Sequence, residues 1–290
     1  MEILKCKNLE KSILENLKER ISKLSSHPSL VMISVGEDPA SKTYVAKKEK
    51  IAGQLGINAI QINLPETISE NDLLTEVRKY TATTPTIVQL PLPSHINTDA
   101  VIQAINPATD VDGFSPSNVG SMLLGHPCFL PATPKGILKI LEYFNVDVAG
   151  KHVVVVGRSN IVGRPVANLL SDRSHNATVT LCHSHTPNLP QILKQADVVI
   201  VATGRPSTIS VTDVKDNAVI VDVGVNRVSD ESERGWHLEG DFNSNGAEST
   251  DIRYTPVPGG VGLLTVAMLM ENTVEFYEKN SGTFSESIIQ

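Results

Sequence analysis

The feature that most constrains this chain is a run of four valines that ends in a glycine. The segment HVVVVGRSNIVGRPVANLL, residues 152–170, has a fully apolar strand, a turn bounded by Gly157 and Gly163, and a helical pattern. A strand without polar alternation is buried on both faces, as in a parallel sheet covered by helices. The first glycine permits a tight turn, and the second lets a helix approach the backbone closely.

The rest of the chain repeats this alternation of strand and helix, which predicts an α/β fold with parallel sheets. The predicted strands are Leu30–Gly36, Ala59–Leu64, Thr86–Leu90, His152–Val156, Thr178–Cys182, Asp197–Ala202 and Ala218–Val223. The predicted helices are Ser41–Leu55, Asn71–Tyr80, Asp99–Ile105, Lys135–Phe144, Gly163–Ser171 and Leu263–Lys279. Residues 106–118 are rich in turn residues, 229–251 read as loop or a short hairpin, and we expect residues 281–290 to be mobile.

Length and charge narrow the class of protein. A chain of 290 residues is long enough for two domains, and we place the boundary near residues 140–150. The 25 basic and 32 acidic residues give a net charge of −7, which disfavours a nucleic-acid partner. The apolar stretches are too short to span a membrane, and the N-terminus carries no signal-peptide pattern. Three widely spaced cysteines favour reduced thiols, so we expect a cytoplasmic protein.

The turn after the four valines indicates a nucleotide site. The free N–H groups and the dipole at the start of the following helix favour an anion. The glycine spacing is G-x5-G rather than G-x-G-x-x-G, and Ser159 stands where the middle glycine would be. An ordinary strand–turn–helix, with glycines kept for geometry alone, is the alternative.

The end of the next strand indicates which dinucleotide binds. A carboxylate that holds the ribose 2′-OH is expected about 20 residues after the turn. The chain instead has Cys182, His183 and Ser184 there, and Arg158 lies in the turn itself. With no carboxylate to repel a 2′-phosphate, the sequence favours NADP over NAD. Cys182, His183 and His185 also suggest metal ligands, but without a second cluster they make a poor site, and we predict no metal.

One lysine falls on the buried face of a predicted helix. At 100° per residue, with Tyr44 at zero, Lys48 falls at about 40° and Ser41 at about 60°, within the apolar stripe. The neighbouring charged residues fall outside the stripe: Lys42, Lys47, Glu49 and Lys50. Lys48 is either a snorkelling side chain or a desolvated amine with a lowered pKa that acts as acid or base.

Two polar residues are candidates for the neighbourhood of this lysine. Ligands of doubly wound sheets bind beyond the carboxyl ends of the strands. The third strand ends at Gln89, whose side chain can bond the Lys48 amine, and Asp112 follows in the next loop. Asp112 can accept hydrogen bonds from a substrate amide or amidine, although Asp-Gly is also an ordinary turn pair.

Several motifs together resemble the methylenetetrahydrofolate dehydrogenase/cyclohydrolase family, and the resemblance runs nearly end to end. They are GEDPASKTYVAKK at 36–48, VQLPLP at 88–93, TDVDGFSPSNVG at 109–120, VVGRSNIVGRPVANLL at 155–170, VTLCHSHT at 179–186, VIVDVGVNR at 219–227 and TPVPGGVG at 255–262. The resemblance implies a folate-binding catalytic domain at 1–140 and a Rossmann-like NADP domain at 141–262. It also implies a cleft between them, a C-terminal helix, 263–290, that returns to the first domain, and a homodimer.

The resemblance also implies residue roles. Lys48 is the implied catalytic lysine, Gln89 positions it, and Tyr44 stacks on the substrate. The implied binding residues for tetrahydrofolate derivatives are Tyr44, Ser41, Asp112, Pro258, Gly259, Gly260, Val261 and Gly262. The implied cofactor-binding residues are Gly157, Arg158, Ser159, Ser184 and Val225. The implied activity is oxidation of 5,10-methylenetetrahydrofolate with NADP and then hydrolysis to 10-formyltetrahydrofolate, within one-carbon metabolism and purine biosynthesis.

Two motifs depart from the family pattern. Ala132 replaces a cysteine, and Leu263 and Leu264 replace Pro-Met after GGVG. The family proline stiffens the folate-side loop, and its absence here would loosen that loop. A dehydrogenase with weak cyclohydrolase activity is therefore a second hypothesis. A non-catalytic NADP-binding protein is a third, which the retained Lys48, Gln89 and Asp112 disfavour.

Overall fold

The computed structural model describes residues 1–232 and 235–280, so the predicted mobile tail lies outside the described residues. The helices are α1 Lys7–Ser22, α2 Pro39–Leu55, α3 Glu70–Thr81, α4 Thr98–Ala104, α5 Pro116–Leu123, α6 Ala132–Tyr143, α7 Gly163–Ser171, α8 Leu189–Leu193 and α9 Val261–Asn280. The strands are β1 Glu2–Ile3, β2 Ser29–Val35, β3 Asn58–Leu64, β4 Thr86–Val88, β5 His152–Val156, β6 Thr178–Cys182, β7 Val198–Val201, β8 Ile209–Ser210, β9 Val219–Asp222, β10 Asn226–Ser229, β11 Trp236–Glu239, β12 Phe242–Asn243 and β13 Arg253–Tyr254.

The chain divides into two compact units. The six-stranded unit comprises Met1–Lys11 and Thr133–Thr265, and the three-stranded unit comprises Ser12–Ala132 and the chain from Val266 onward. Each unit contains a parallel sheet with helices, which confirms the predicted α/β class. Within the described part of the chain, no helix has the length and apolar character needed to cross a membrane.

The three-stranded unit has the sheet order β3-β2-β4, with all strands parallel. One apolar cluster joins α1, α2 and the middle of α9 to the sheet, and a second joins α3 and α4 to it. Helix α2 begins where the Asp38 carboxylate accepts from the Ser41 N–H at 2.7 Å, and it ends at Gly56, whose φ is 78°. A side-chain cap followed by a left-handed glycine is a common way to fix both ends of a helix.

The six-stranded unit has the order β1-β13-β9-β7-β5-β6, again with every pair parallel. The four-valine strand β5 lies between β6 and β7, which explains why it carries no polar alternation. The edge strand β1 pairs with β13, and the Glu2 N–H donates to the Ile252 carbonyl at 2.9 Å. This pairing is why the first eleven residues belong to this unit.

The compact units differ from the sequence-based domain bounds of 1–140 and 141–262. The first residues join the six-stranded unit through β1, and Thr133 and the rest of α6 join it as well. Helix α9 is continuous, but its first turn belongs to the six-stranded unit and its remainder to the three-stranded unit. Hydrophobic periodicity does not predict which unit these terminal segments join, because that choice depends on long-range contacts.

The turn-rich segment 106–118 also differs from expectation, since it runs into helix α5. Ser115 caps this helix by accepting from the Asn118 N–H at 3.4 Å, and Pro116 occupies its first turn. A serine cap followed by proline is a helix start signal that the turn composition obscured. In residues 229–251, predicted as loop or a short hairpin, strand β11 pairs antiparallel with β10.

Candidate active site

Helix α2 places Lys48 on its buried face, where it is 9% exposed. The amine Nζ donates to Gln89 Oε1 at 3.1 Å, and Gln89 directly follows β4. The Gln89 amide donates in turn to the Leu90 carbonyl at 2.6 Å, which directs its oxygen toward the lysine. The hydrogen bonds of Gln89 therefore fix the pairing of Lys48 with its side-chain oxygen.

The environment of the Lys48 amine changes its pKa. Burial lowers the pKa of Lys48 below its ordinary value, while the Asp112 carboxylate acts in the opposite direction and offsets part of the shift. Desolvation disfavours the charged form of an amine, so a larger fraction is neutral at a given pH than for an exposed lysine. A snorkelling lysine would keep its amine in water, so the burial favours the acid–base interpretation.

Tyr44 and Ser41 lie on the same helix, one and two turns before Lys48. Tyr44 is half-buried, and burial raises the pKa of its hydroxyl, so the phenol stays protonated. Within the described ranges, the Ser41 Oγ is buried and lacks a hydrogen-bond partner. Ser41 and Gln89 also line a cavity of about 290 Å³ beside the carboxyl ends of β2 and β3.

The loop after α4 presents Asp112 toward this lysine. Burial raises the pKa of Asp112 to about 6, Lys48 acts to lower it, and the Asp110 carboxylate adds to the increase. Among residues 1–232 and 235–280, the Asp112 carboxylate makes no hydrogen bond. Both carboxylate oxygens therefore keep their capacity to accept hydrogen bonds.

The turn role that an Asp-Gly pair suggests belongs to Asp110 instead. This fully buried carboxylate accepts from the Gly113 N–H at 3.1 Å, the Ser115 N–H at 2.7 Å and the Asn118 side-chain amide at 2.9 Å. Gly113 has a φ of 71°, and a Cβ there would run into the backbone of residues 129–131. Asp110 thus holds the turn, and sequence reasoning missed it.

A residue of the last helix fixes the same loop. The side-chain amide of Asn272, fully buried in α9, donates to the Val111 carbonyl and to the Leu130 carbonyl, each at 2.8 Å. Val111 directly precedes Asp112, and the backbone of Leu130 lies against Gly113, which directly follows it. An asparagine amid apolar residues of a helix was the available sequence signal, since a buried amide needs partners.

The G-x5-G turn has the geometry that the sequence predicted. Gly157 has a φ of 122°, which only glycine adopts readily, and a Cβ at Gly163 would overlap the Gly157 carbonyl. The Ser159 Oγ accepts from the Val162 N–H at 3.1 Å and the Gly163 N–H at 3.4 Å, so it caps α7 from within the turn. A backbone cradle that no side chain fills fits the phosphates of a dinucleotide.

The residues assigned to the rest of the dinucleotide lie at the ends of β5, β6 and β9. Arg158 and Ser184 are exposed, and Val225 is 40% exposed. Desolvation lowers the pKa of His183, and the positive charges of Arg158 and His185 lower it further. His183 Nδ1 also accepts from the His185 N–H at 3.2 Å, a bond that requires Nδ1 to carry no proton.

The segment 258–262 forms the turn that leads into α9 within the six-stranded unit. Gly259 has a φ of 110°, and a Cβ at Gly260 would come within 2.6 Å of the Pro256 carbonyl. The Leu263 N–H donates to the Gly260 carbonyl at 3.1 Å, a bond that a proline there would lack. This hydrogen bond restrains the turn, so the loosening expected from the missing proline is partly offset.

Lys47 corrects one expectation. The helical wheel placed it on the solvent face, but its side chain is half-buried, whereas Lys50 is exposed on the same helix. Wheel angles give the direction of a side chain but not the position of the solvent boundary, so a residue outside the apolar stripe can still be half-buried. Within the described part of the chain, no group of three or more His, Cys, Asp or Glu side chains has the geometry of a metal site.

A glycine turn at the end of a parallel strand and a buried lysine paired with a glutamine amide are typical of a nucleotide-dependent α/β enzyme. Two family models match the chain. Tetrahydrofolate dehydrogenase/cyclohydrolase, catalytic domain, matches residues 4–112, and the NAD(P)-binding domain of the same family matches residues 131–281. The chain therefore belongs to the tetrahydrofolate dehydrogenase/cyclohydrolase family, which confirms the resemblance drawn from its motifs.

Curated relatives agree over most of their length. The bifunctional protein FolD of Halalkalibacterium halodurans is 48% identical over 268 residues, covering 90% of this chain and 93% of the relative. The protein of the same name from Geobacillus thermodenitrificans is 47% identical over 281 residues, covering 94% and 96%. The chain is accordingly an enzyme with dehydrogenase and cyclohydrolase domains.

Solved structures give the same result. The bifunctional enzyme FolD of Campylobacter jejuni is 40% identical, with a TM-score of 0.91 over 97% of this chain and 99% of that one. The Trypanosoma brucei enzyme, solved with NADP cofactor and an inhibitor, is 33% identical with a TM-score of 0.90 over 96% and 97%. These matches and the NAD(P)-binding family model confirm the predicted dinucleotide cofactor.

Proposed function

We propose that this enzyme oxidises 5,10-methylenetetrahydrofolate with NADP and then hydrolyses 5,10-methenyltetrahydrofolate to 10-formyltetrahydrofolate, with Lys48 as the acid–base group. The observation that carries the proposal is the buried Lys48 amine, bonded to Gln89 at 3.1 Å and facing the charge of Asp112. The family membership supplies the substrate class. The proposal extends it to named residues.

Asp112 and Tyr44 hold the substrate in this proposal. The Asp112 carboxylate, which lacks an internal hydrogen-bond partner among the described residues, accepts from the N–H donors of the pterin edge. The half-buried Tyr44 ring offers a face for stacking. Neither contact changes covalent bonds, and both orient the bridging carbon toward Lys48.

Lys48 moves the protons of the hydrolysis. Neutral Lys48 accepts a proton as water oxygen bonds to the amidinium carbon of the methenyl bridge. The resulting ammonium gives that proton to N5 as the carbon–N5 bond breaks, and the hydroxyl proton leaves to solvent as the formyl carbonyl forms on N10. A lowered lysine pKa favours the first transfer, and Gln89 keeps the amine in place for the second.

The glycine turn, Arg158, Ser184 and Val225 hold the dinucleotide in this proposal. The Gly157 and Gly163 backbone receives the phosphates at the start of α7, and Arg158 and Ser184 contact the 2′-phosphate. When bound, NADP supplies the hydride acceptor for the oxidation. The exposed Arg158 guanidinium favours the phosphorylated cofactor over NAD, because the 2′-phosphate adds negative charge.

One assay tests the proposal against a dehydrogenase without useful cyclohydrolase activity. Purified protein is given methylenetetrahydrofolate and NADP, and formation and decay of the methenyl product are followed by absorbance. Formation followed by enzyme-dependent decay supports the proposal. Accumulation of the methenyl product would instead support the second hypothesis, which the Leu263 hydrogen bond disfavours.

We also propose that the enzyme acts in the cytoplasm as a homodimer and supplies 10-formyltetrahydrofolate to reactions such as those of purine biosynthesis. Three free thiols, Cys6, Cys128 and Cys182, suit a reducing compartment. Sedimentation equilibrium tests the dimer, and a mass of one chain at micromolar concentration would contradict it.

A further inference from the structure

Two buried carboxylates in the six-stranded unit play no part in the proposed mechanism. Asp222 is the last residue of β9 and is 3% exposed, and Asp241, just before β12, is fully buried. Burial raises the pKa of Asp222 to about 6, and three backbone hydrogen bonds act against that shift. Buried carboxylates are retained only when they are well hydrogen-bonded, so the partners of these two are informative.

The Asp222 carboxylate accepts hydrogen bonds from the backbone of two separate segments. Its Oδ1 accepts from the Gly224 N–H at 2.9 Å and from the Asp241 N–H at 3.0 Å, and its Oδ2 accepts from the Phe242 N–H at 3.0 Å. The residue therefore joins the loop that follows β9 to the segment that contains the other aspartate.

Asp241 links the loops that follow two neighbouring strands. Its Oδ2 accepts from the Gly204 N–H and from the Thr203 hydroxyl, each at 2.9 Å, after β7. Its Oδ1 accepts from the Asn226 side-chain amide at 2.8 Å, after β9. Val225 lies between Gly224, which donates to Asp222, and Asn226, which donates to Asp241.

The backbone around the pair leaves no room for other side chains. A Cβ at Gly224 would overlap the Asp241 carboxylate, and a Cβ at Gly240 would overlap the Asp222 carboxylate. Both glycines thus allow the carboxylates to reach backbone N–H groups directly.

The sheet order places these loops beside the proposed cofactor turn. Strand β5, which leads into the 157–163 turn, neighbours β7, and β7 neighbours β9. In doubly wound sheets a dinucleotide lies beyond the carboxyl ends of the strands, with its phosphates at the first turn. The loops after β7 and β9 therefore border the region that the nicotinamide half would occupy.

We propose that Asp241, supported by Asp222, is a positioning residue that holds the Val225 segment and the Thr203–Gly204 loop in place for the nicotinamide half of the cofactor. This inference depends on the proposed function, which assigns Val225 to the cofactor. It predicts that the pair affects dinucleotide binding and oxidation but not hydrolysis, because the hydrolytic residues belong to the three-stranded unit.

Asp241→Asn is the first test. An asparagine can keep the bonds to Thr203 and Gly204 through its carbonyl, but its NH₂ then faces the NH₂ of Asn226. We expect NADPH affinity, measured by its fluorescence, and the dehydrogenase rate each to fall about tenfold or more. Hydrolysis of methenyltetrahydrofolate without cofactor should stay within about twofold, in a protein still folded by circular dichroism. Asp251→Asn, an exposed change of the same chemistry, is the matched control.

Two further variants test the inference if Asp241→Asn folds poorly. Asn226→Ala removes the same hydrogen bond from the other side and leaves Asp241 its partners in the Thr203–Gly204 loop. Exchanging the two residues, Asp241→Asn with Asn226→Asp, restores a donor–acceptor pair and should recover part of the lost NADPH affinity. Recovery of NADPH affinity on exchange, with the same melting temperature in the single and the exchanged variants, would tie cofactor binding to this hydrogen bond and not to global stability.

The outcomes separate the possibilities. Parallel loss of oxidation, hydrolysis and melting temperature would mean that the pair is structural only, and unchanged NADPH affinity would mean that it does not act on the cofactor loops. Either result overturns the inference. A wild-type protein that binds NADPH but does not oxidise the folate substrate would refute the proposed function instead, and NADPH affinity would still test the positioning role.

Discussion

The lysine site and the dinucleotide turn differ in how their chemistry is prepared. Lys48 is buried and bonded to Gln89, and Asp112 faces it with a raised pKa. Arg158 and Ser184, in contrast, are exposed side chains beside a turn built from glycine backbone. Burial fixes protonation states before a ligand arrives, whereas an exposed group acquires its partner only on binding. We therefore expect larger mutational effects at the lysine site.

Replacing Lys48 with Met should give the largest effect. Met has similar length and suits a buried position, so the helix should persist. Loss of a positioned acid–base group should lower the cyclohydrolase rate by about 10²- to 10⁴-fold, with NADP affinity nearly unchanged. Stopped-flow decay of methenyltetrahydrofolate measures the rate. Lys50→Met, at an exposed position of α2, is the matched control. A wild-type rate in Lys48→Met would remove Lys48 from the mechanism.

Asp112→Asn should weaken folate binding by roughly 10- to 150-fold, because charge-assisted hydrogen bonds contribute about 1.5–3 kcal/mol. The asparagine presents a donor where the pterin edge needs an acceptor. Thermal stability should change little, since Asp110 and Asn272 hold the turn. Isothermal titration calorimetry gives the affinity. If the folded variant binds folate as tightly as wild type, Asp112 has no role in recognition.

Arg158→Ala tests the exposed site and should weaken NADP binding at the lower end of the same range, about tenfold, because water screens the contact. Binding of NAD should be almost unaffected, since NAD lacks the 2′-phosphate. Dissociation constants of both cofactors are compared for wild type and variant. Equal losses would mean that Arg158 braces the turn and does not select the cofactor.

The pH dependence of folate binding gives the smallest and most specific effect. Burial raises the pKa of Asp112 to about 6, so the carboxylate loses its charge as the pH falls through that value. An acceptor that becomes protonated cannot serve two donors, and affinity should fall about twofold when the pH equals that pKa, where half of the carboxyl groups are protonated. The decline should be absent in Asp112→Asn. The same decline in that variant would assign the titration to another group.

Much of the fold was predictable because its elements carry strong local signals. The bounds of β5, α7 and β6 agree with the predicted ones, since a valine run and two glycines fix them. Helix α2 was predicted within two residues at its start and ends where expected. The pairing of Lys48 with Gln89 also followed from sequence, because a lysine in an apolar stripe needs a polar partner at a strand end.

The parts that sequence reasoning missed depend on distant contacts. Asp110 and Asp112 are both aspartates of one short loop, and only the fold decides which one holds the turn. Asn272, Asp222 and Asp241 act through backbone groups far away in the chain. Periodicity describes which face a residue occupies, but it does not identify a partner carbonyl or N–H.

The shared helix α9 has a consequence for the order in which the protein is made. The core beside Lys48 includes Val266–Met270 and Val274, and the loop at Asp112 depends on Asn272. These residues follow the whole six-stranded unit in sequence, yet they complete a unit that begins at Ser12. During synthesis the chain emerges from its N-terminus. All strands of the six-stranded sheet are therefore synthesised before the last helix of the lysine site, and that site cannot be complete until the chain has been made through Val274.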